Sequence, residues 1–154
     1  MKSYVTIEQA ACPVCCKVED TGAILMDTRL TYDHRTGRSK MRETFDMHTV
    51  TGWSPCKEHR DLYAAGYVAF VGVKREPHRN ADPGDIERTG AVMHLRLATA
   101  EAVLTGGWPK ARDGRPLPLI YCPDELIDKI VAMCKAQGVE PIDPKDATPT
   151  PPPN

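Results

Sequence analysis

Four residues carry the ligand chemistry of a soft metal ion: Cys12 and Cys15 in the run Cys12-Pro13-Val14-Cys15, and Cys56 and His59 in Cys56-Lys57-Glu58-His59. A C-x-x-C turn delivers two thiolates from one tight knuckle, with backbone amides directed at the sulfurs. A second pair completes the four-ligand tetrahedron that zinc prefers. The spacing therefore predicts one Zn2+ in a Cys3His shell. A filled shell leaves no position for water or substrate, so the expected role is structural, the folding of a small module. Cys16, where such knuckles often carry glycine, and His48 are the substitute ligands. The competing reading is buried thiols and a surface histidine with no metal at all.

Other chemistries meet these residues less well. A redox C-x-x-C needs a thioredoxin-like βαβ context, and the surroundings offer a hairpin and a second ligand pair instead. Zinc deaminases place H-x-E ahead of P-C-x-x-C; Pro55-Cys56 echoes part of this, but no H-x-E precedes it. Asp33-His34, between the two knuckles, is the one pair reminiscent of an HNH-type metal-dependent nuclease. No Asn or second His follows at the spacing that chemistry uses, and a polar turn accounts for the pair. His78 falls in a polar loop, and His94 on the polar face of its strand. Cys122 and Cys134 read as small buried apolar residues, and Trp53 and Trp108 as packing residues at the edges of cores. No catalytic residue is assigned.

The segment His34 to Arg42 carries Arg35, Arg38, Lys40 and Arg42 and no acidic residue. At a hairpin tip these four would form a local positive finger able to neutralise phosphates with salt-sensitive affinity. An ordinary solvated turn is the preferred reading of the segment, since no stacking aromatic is interleaved with the charges.

Positioning these groups requires an α+β chain in three parts. Residues 1–66 form the zinc-ribbon module. After a leader at 1–11, Ala23 to Val50 reads as two strands of a long β-hairpin turning at His34 to Ser39. On the return strand Met41, Phe45 and Met47 share one face, and Arg42, Asp46 and His48 the other. Lys57 to Ala65 is predicted helical, with Gly66 ending it. Residues 67–140 form a small α+β lobe of about three strands and two helices. Its apolar run Tyr67 to Val73 suits a strand covered on both sides, and Lys74 to Thr89 a long exposed loop. Ala91, Met93, Leu95 and Leu97 alternate with polar positions on a second strand, and Thr99 is placed to cap a short helix reaching Leu104. A brief strand at Leu119 to Cys122 leads into a helix from Pro123 or Asp124 to Gly138. That helix carries the apolar stripe Leu126, Ile127, Ile130, Val131 and Cys134. Residues 141–154 are predicted to be a disordered, Pro-rich tail.

Composition bounds the class. With 154 residues, 41% hydrophobic and 27% charged, the body is that of a soluble globular protein. A net charge of −1 gives no chain-wide attraction to nucleic acid or to anionic membranes. The start of the chain has no apolar signal-peptide core, and the longest apolar run is too short to span a bilayer. A cytoplasmic protein with reduced thiols is the expectation, with no membrane partner and no indication of oligomeric state.

The motifs Cys12-Pro13-Val14-Cys15, Thr21-Gly22, Thr51-Gly52-Trp53, Cys56-Lys57-Glu58-His59, Gly66-Tyr67-Val68-Ala69 and Arg88-Thr89-Gly90 resemble a pattern seen in small zinc-ribbon proteins of tailed bacteriophages. The likeness spans roughly residues 10 to 97. It implies a phage or prophage origin and a ribbon followed by an α+β unit, without implying an activity. Absent a phosphate loop, an open metal position or a convergent catalytic set, the leading expectation is a non-enzymatic adaptor or inhibitor that binds another protein, such as a host factor. Nucleic-acid binding through the basic tip is the alternative.

Overall fold

The computed structural model describes residues 1–78 and 80–141. The predicted tail, apart from Pro141, lies outside them. The chain divides into two compact units, Met1–Cys56 and Lys57–Asn154.

In the first unit, β1 (Val5–Ala11) is central, with β2 (Val18–Met26) antiparallel on one edge and β5 (His48–Trp53) parallel on the other. Between them, β3 (Leu30–Asp33) and β4 (Arg38–Met41) form a separate two-stranded hairpin. The long hairpin expected between the knuckles is thus a short one, and the return strand stops at Met41. Two interactions explain this. After Met26 the buried Asp27 turns the chain, accepting from the Arg29 backbone N–H at 3.0 Å, from the guanidinium Nε and Nη2 at 2.8 and 2.7 Å, and from the Thr44 hydroxyl at 2.7 Å. The Arg29 side chain, seconded by Thr44, holds the Asp27 carboxyl well below the usual carboxylate range. Further on, Phe45 pairs in a single bridge with Ser3, so the chain crosses to β1 and not back to β2.

The β2–β1–β5 sheet is turned inside out relative to the usual pattern. Cross-strand pairing puts Val5 opposite Met26 and Ile7 opposite both Ile24 and His48, with Gln9 opposite Val50, so these side chains share a face. That face is open: Ile24 is 70% exposed, Met26 54% and Val50 51%. The other face carries Thr6, only 2% exposed, whose hydroxyl donates to the Met47 carbonyl at 3.0 Å and shares a 3.2 Å hydrogen bond with the Thr49 hydroxyl. Within Met1–Cys56 the buried apolar side chains are Ala11, Cys12, Val14 and Cys56, all in or beside the two knuckles. So small a cluster does not supply the core that a unit of this size needs to fold alone.

The second unit has an ordinary core. The helix α1 (Lys57–Ala64) ends at Gly66, whose φ of 86° is the left-handed C-cap conformation anticipated for it. The strand β6 (Tyr67–Val73) is buried at every position, between antiparallel β7 (Arg88–Arg96) and parallel β8 (Leu119–Cys122). The loop from Lys74 contains one 3-10 turn at Pro83–Asp85. The helix α3 (Asp124–Ala136) buries Ile127, Ile130 and Cys134 against Phe70, Met93 and Leu95, as its stripe predicts. Trp108 meets Phe70 edge to face at 5.2 Å and donates from Nε1 to the Leu117 carbonyl at 2.7 Å, which makes it a packing residue. Cys122 is buried, which pushes its thiol up to about 11, with the Asp124 carboxylate adding to the rise.

Two expectations are corrected. Thr99 does not cap the helix α2 (Leu97–Val103); Arg96 stands at the cap, because the Leu97 N–H still bonds the Gly66 carbonyl at 2.9 Å and the strand runs straight into the helix. His94 is not on a polar, solvated face: it is 2% exposed, because that side of β7 is covered by α1, where the His59 ring lies against it.

Gly72, in the central strand, lies under a hydrogen bond from the Thr89 hydroxyl to Asp124 Oδ1 at 2.6 Å. A Cβ at Gly72 would collide with both of those oxygens and stand 2.9 Å from Ala91 Cβ. Gly72→Ala is therefore expected to destabilise the protein by about 1–3 kcal/mol in denaturant unfolding. Gly52→Ala is the control, because nothing lies within 4 Å of a Cβ there.

Candidate metal centre

The ladder of the first unit delivers its ligands to one end of the sheet. Ala11, the last residue of β1, pairs with Trp53, the last of β5, and the two strands are parallel. Cys12 follows directly on β1 and Cys56 follows three residues after β5, so pairing closes a long sequence separation. The first knuckle is held by its own backbone: the Cys16 N–H donates to the Cys12 carbonyl, and the Cys12 N–H to the Lys17 carbonyl, each at 2.8 Å. The Ser54 N–H donates to the Ala11 carbonyl at 3.0 Å and ties in the approach to Cys56.

Ligand atoms of Cys12, Cys15, Cys56 and His59 all lie within 4.8 Å of one another. Cys15 Sγ and Cys56 Sγ are 3.9 Å apart. A regular tetrahedron with metal–sulfur bonds of about 2.3 Å has edges of about 3.8 Å, so this sulfur pair already stands at coordination distance. Cys12, Cys56 and His59 are buried, and Cys15 lies toward solvent. The four residues can hold a metal ion. Among the described residues no other group of three or more His, Cys, Asp or Glu ligand atoms converges in this way.

Electrostatics give the cluster a reason to want a cation. Although Cys15 lies toward solvent, partial desolvation at the cluster pushes its thiol up to about 12, with a backbone hydrogen bond at Lys17 opposing the rise and neighbouring Cys12 and Cys56 adding to it. Three thiols packed this closely resist ionisation together, and a bound cation reverses the preference by neutralising the thiolates. His59 stands in the first turn of α1, where the helix dipole favours anionic ligands nearby. Its ring stacks on that of His94 at 5.1 Å between centroids and 22° between planes. This contact fixes the plane of the His59 imidazole.

The substitute ligands stand apart from the cluster. Cys16 is exposed and has a φ of 62°, the left-handed conformation for which such knuckles use glycine. His48 opens β5, at the end of the strand away from Cys56. Of the other residues singled out above, Asp33 accepts the Arg35 N–H at 2.8 Å and closes the hairpin turn, and backbone Arg35 and then Thr36 hold its carboxyl below the usual range. Neither Asp33 nor His34 joins a ligand group. Arg35, Arg38, Lys40 and Arg42 are exposed along the hairpin. The residue that sequence reasoning missed is His94. Strand alternation marks it as polar-facing, and only the placement of α1 makes it a neighbour of a ligand.

Cys16→Gly is expected to leave metal stoichiometry unchanged and to raise stability by up to about 1 kcal/mol, because it relieves the left-handed strain. Metal titration and thermal melting of the variant check both halves.

Compared with known protein families, curated proteins and solved structures, the chain matches none, so the reading of this centre rests on its own geometry and donor chemistry.

Proposed function

We propose that the cluster is a closed, structural Zn2+ site of zinc-ribbon type, and that the protein is a non-enzymatic adaptor or inhibitor that binds another protein through the open face of its β2–β1–β5 sheet. The donor set supports zinc: three thiolates and an imidazole suit a borderline-soft ion with tetrahedral preference, and four protein ligands leave no position for substrate. The six free cysteines fit a reducing cytoplasm. Among the described residues no helix is long and apolar enough to cross a membrane. A phage or prophage origin, with a host factor as the partner, belongs to the same proposal through the motif resemblance.

The observation that carries the interaction reading is the inverted sheet. Thr6, hydrogen-bonded to Thr49, is buried on one face, while Ile7, Ile24, Met26 and Val50 lie exposed on the other. A sheet face whose exposed centre is aliphatic, with His48 and the hydrogen-bonded Gln9–Asp20 pair beside it, suits a partner protein that offers its own apolar surface with a polar rim. Burying the exposed part of each of these side chains contributes about 1–2 kcal/mol to a complex.

The test uses the full chain as bait in nuclease-treated bacterial lysate, beside the double variant Ile24→Asp/Val50→Asp. The wild-type chain is expected to retain a protein partner, and the variant to lose it with its melting temperature and metal content unchanged. Equal capture by both, or capture by neither, contradicts the proposal.

A further inference from the structure

We infer that the β3–β4 hairpin is a binding site for single-stranded polynucleotide, in which Tyr32 stacks on a base and Arg35, Arg38, Lys40 and Arg42 neutralise backbone phosphates. This site is separate from the apolar sheet face and does not depend on it. Two independent features of the hairpin lead to it.

The first is charge left without intramolecular partners. Five exposed cations, Lys2, Lys17, Arg29, Lys57 and Arg115, each pair with a carboxylate at 2.6 to 3.1 Å; what sets the hairpin apart is four exposed cations gathered between Arg35 and Arg42. Arg35, Arg38, Lys40 and Arg42 are all exposed, and none makes an ion pair among the described residues. One carboxylate, Asp33, lies among them and feels Lys40, but its oxygens are engaged by the backbone of the turn. Four cations against one committed carboxylate leave the ribbon positive in a chain whose net charge is −1. A polyanion is the partner that this local excess attracts.

The second is an exposed aromatic surface that the sequence pattern does not reveal, since Tyr32 precedes the cationic run. Pairing places Leu30 opposite Met41 and Tyr32 opposite Ser39 on one face, and Thr31 opposite Lys40 and Asp33 opposite Arg38 on the other. Tyr32 is 57% exposed and is braced edge-on by the His34 ring at 4.9 Å and 85°. The turn that carries them is closed by a hydrogen bond: the Gly37 N–H donates to the Asp33 carbonyl at 2.9 Å, and Gly37 takes a φ of 66°. A tyrosine held on a two-stranded ribbon offers a π-face to any base free to leave its stack. The strand backbone can then pass over the turn at Arg35 onto the cationic face. Bases in a duplex are already stacked, which favours a single strand; a peptide of acidic residues would gain from the cations but not from the ring.

Fluorescence anisotropy with a labelled oligothymidine about 20 nucleotides long tests this on the full chain. With up to four phosphates neutralised, the slope of log K against log salt should lie between about −2 and −3. Changing Arg35, Arg38, Lys40 and Arg42 together to Ala should abolish binding with the circular dichroism spectrum unchanged. Tyr32→Ala should weaken binding about tenfold, and Tyr32→Phe should restore it. The double variant Ile24→Asp/Val50→Asp should bind oligothymidine like the wild type, which separates this site from the protein-binding face. Three outcomes would each overturn the inference: no binding at low salt, unchanged binding by the four-cation variant, or equal competition by polyglutamate.

Discussion

Three thiols and an imidazole with ligand atoms inside 4.8 Å form the constraint around which the first fifty-six residues are organised. The sheet has no apolar core of its own: its buried apolar side chains are Ala11, Val14 and two of the ligands themselves. Hydrophobic burial on that scale cannot offset the ordering entropy of a unit this long. Left without a cation, the cluster also disfavours ionised sulfur, because partial desolvation and then the neighbouring Cys12 and Cys56 push the Cys15 thiol up. One bound ion would meet both difficulties, because ligand binding to the folded state becomes folding free energy. Its anchor points follow from the strands, since parallel β1 and β5 finish side by side and hand over Cys12 and Cys56.

A core built on a ligand cluster able to hold a metal ion would free the sheet from its usual obligation. Where folding relies on burial, aliphatics line the inner face and polar residues the outer one. Here Thr6 and Thr49 satisfy each other inside, and Ile24, Met26 and Val50 face out. The second unit shows the contrast within the same chain: β6 is covered on both sides, and Gly72 is the one position in that strand where a helix-borne carboxylate comes so close that no Cβ fits. That unit is held by packing, and its surface holds less that asks for an explanation.

Much of this was legible in the residues. Ligand spacing identified Cys12, Cys15, Cys56 and His59, and the apolar runs located β6, β8 and α3 with its buried stripe. What escaped were features set by pairing partners far along the chain. The twofold alternation of residues 41–48 suits a strand, yet the Asp27 clasp and the Ser3–Phe45 bridge divert that segment toward β1. Alternation also says only which residues share a face and not what covers it, so His94 read as solvated although α1 buries it.

Metal content measured on purified protein, paired with thermal melting in the presence of a chelator, tests the central claim most directly. The account predicts about one equivalent of zinc per chain. It further predicts loss of that zinc in the Cys12→Ser/Cys56→Ser variant, and unfolding of the first unit when chelator removes the ion. A metal-free protein whose melting is the same with and without chelator would contradict it.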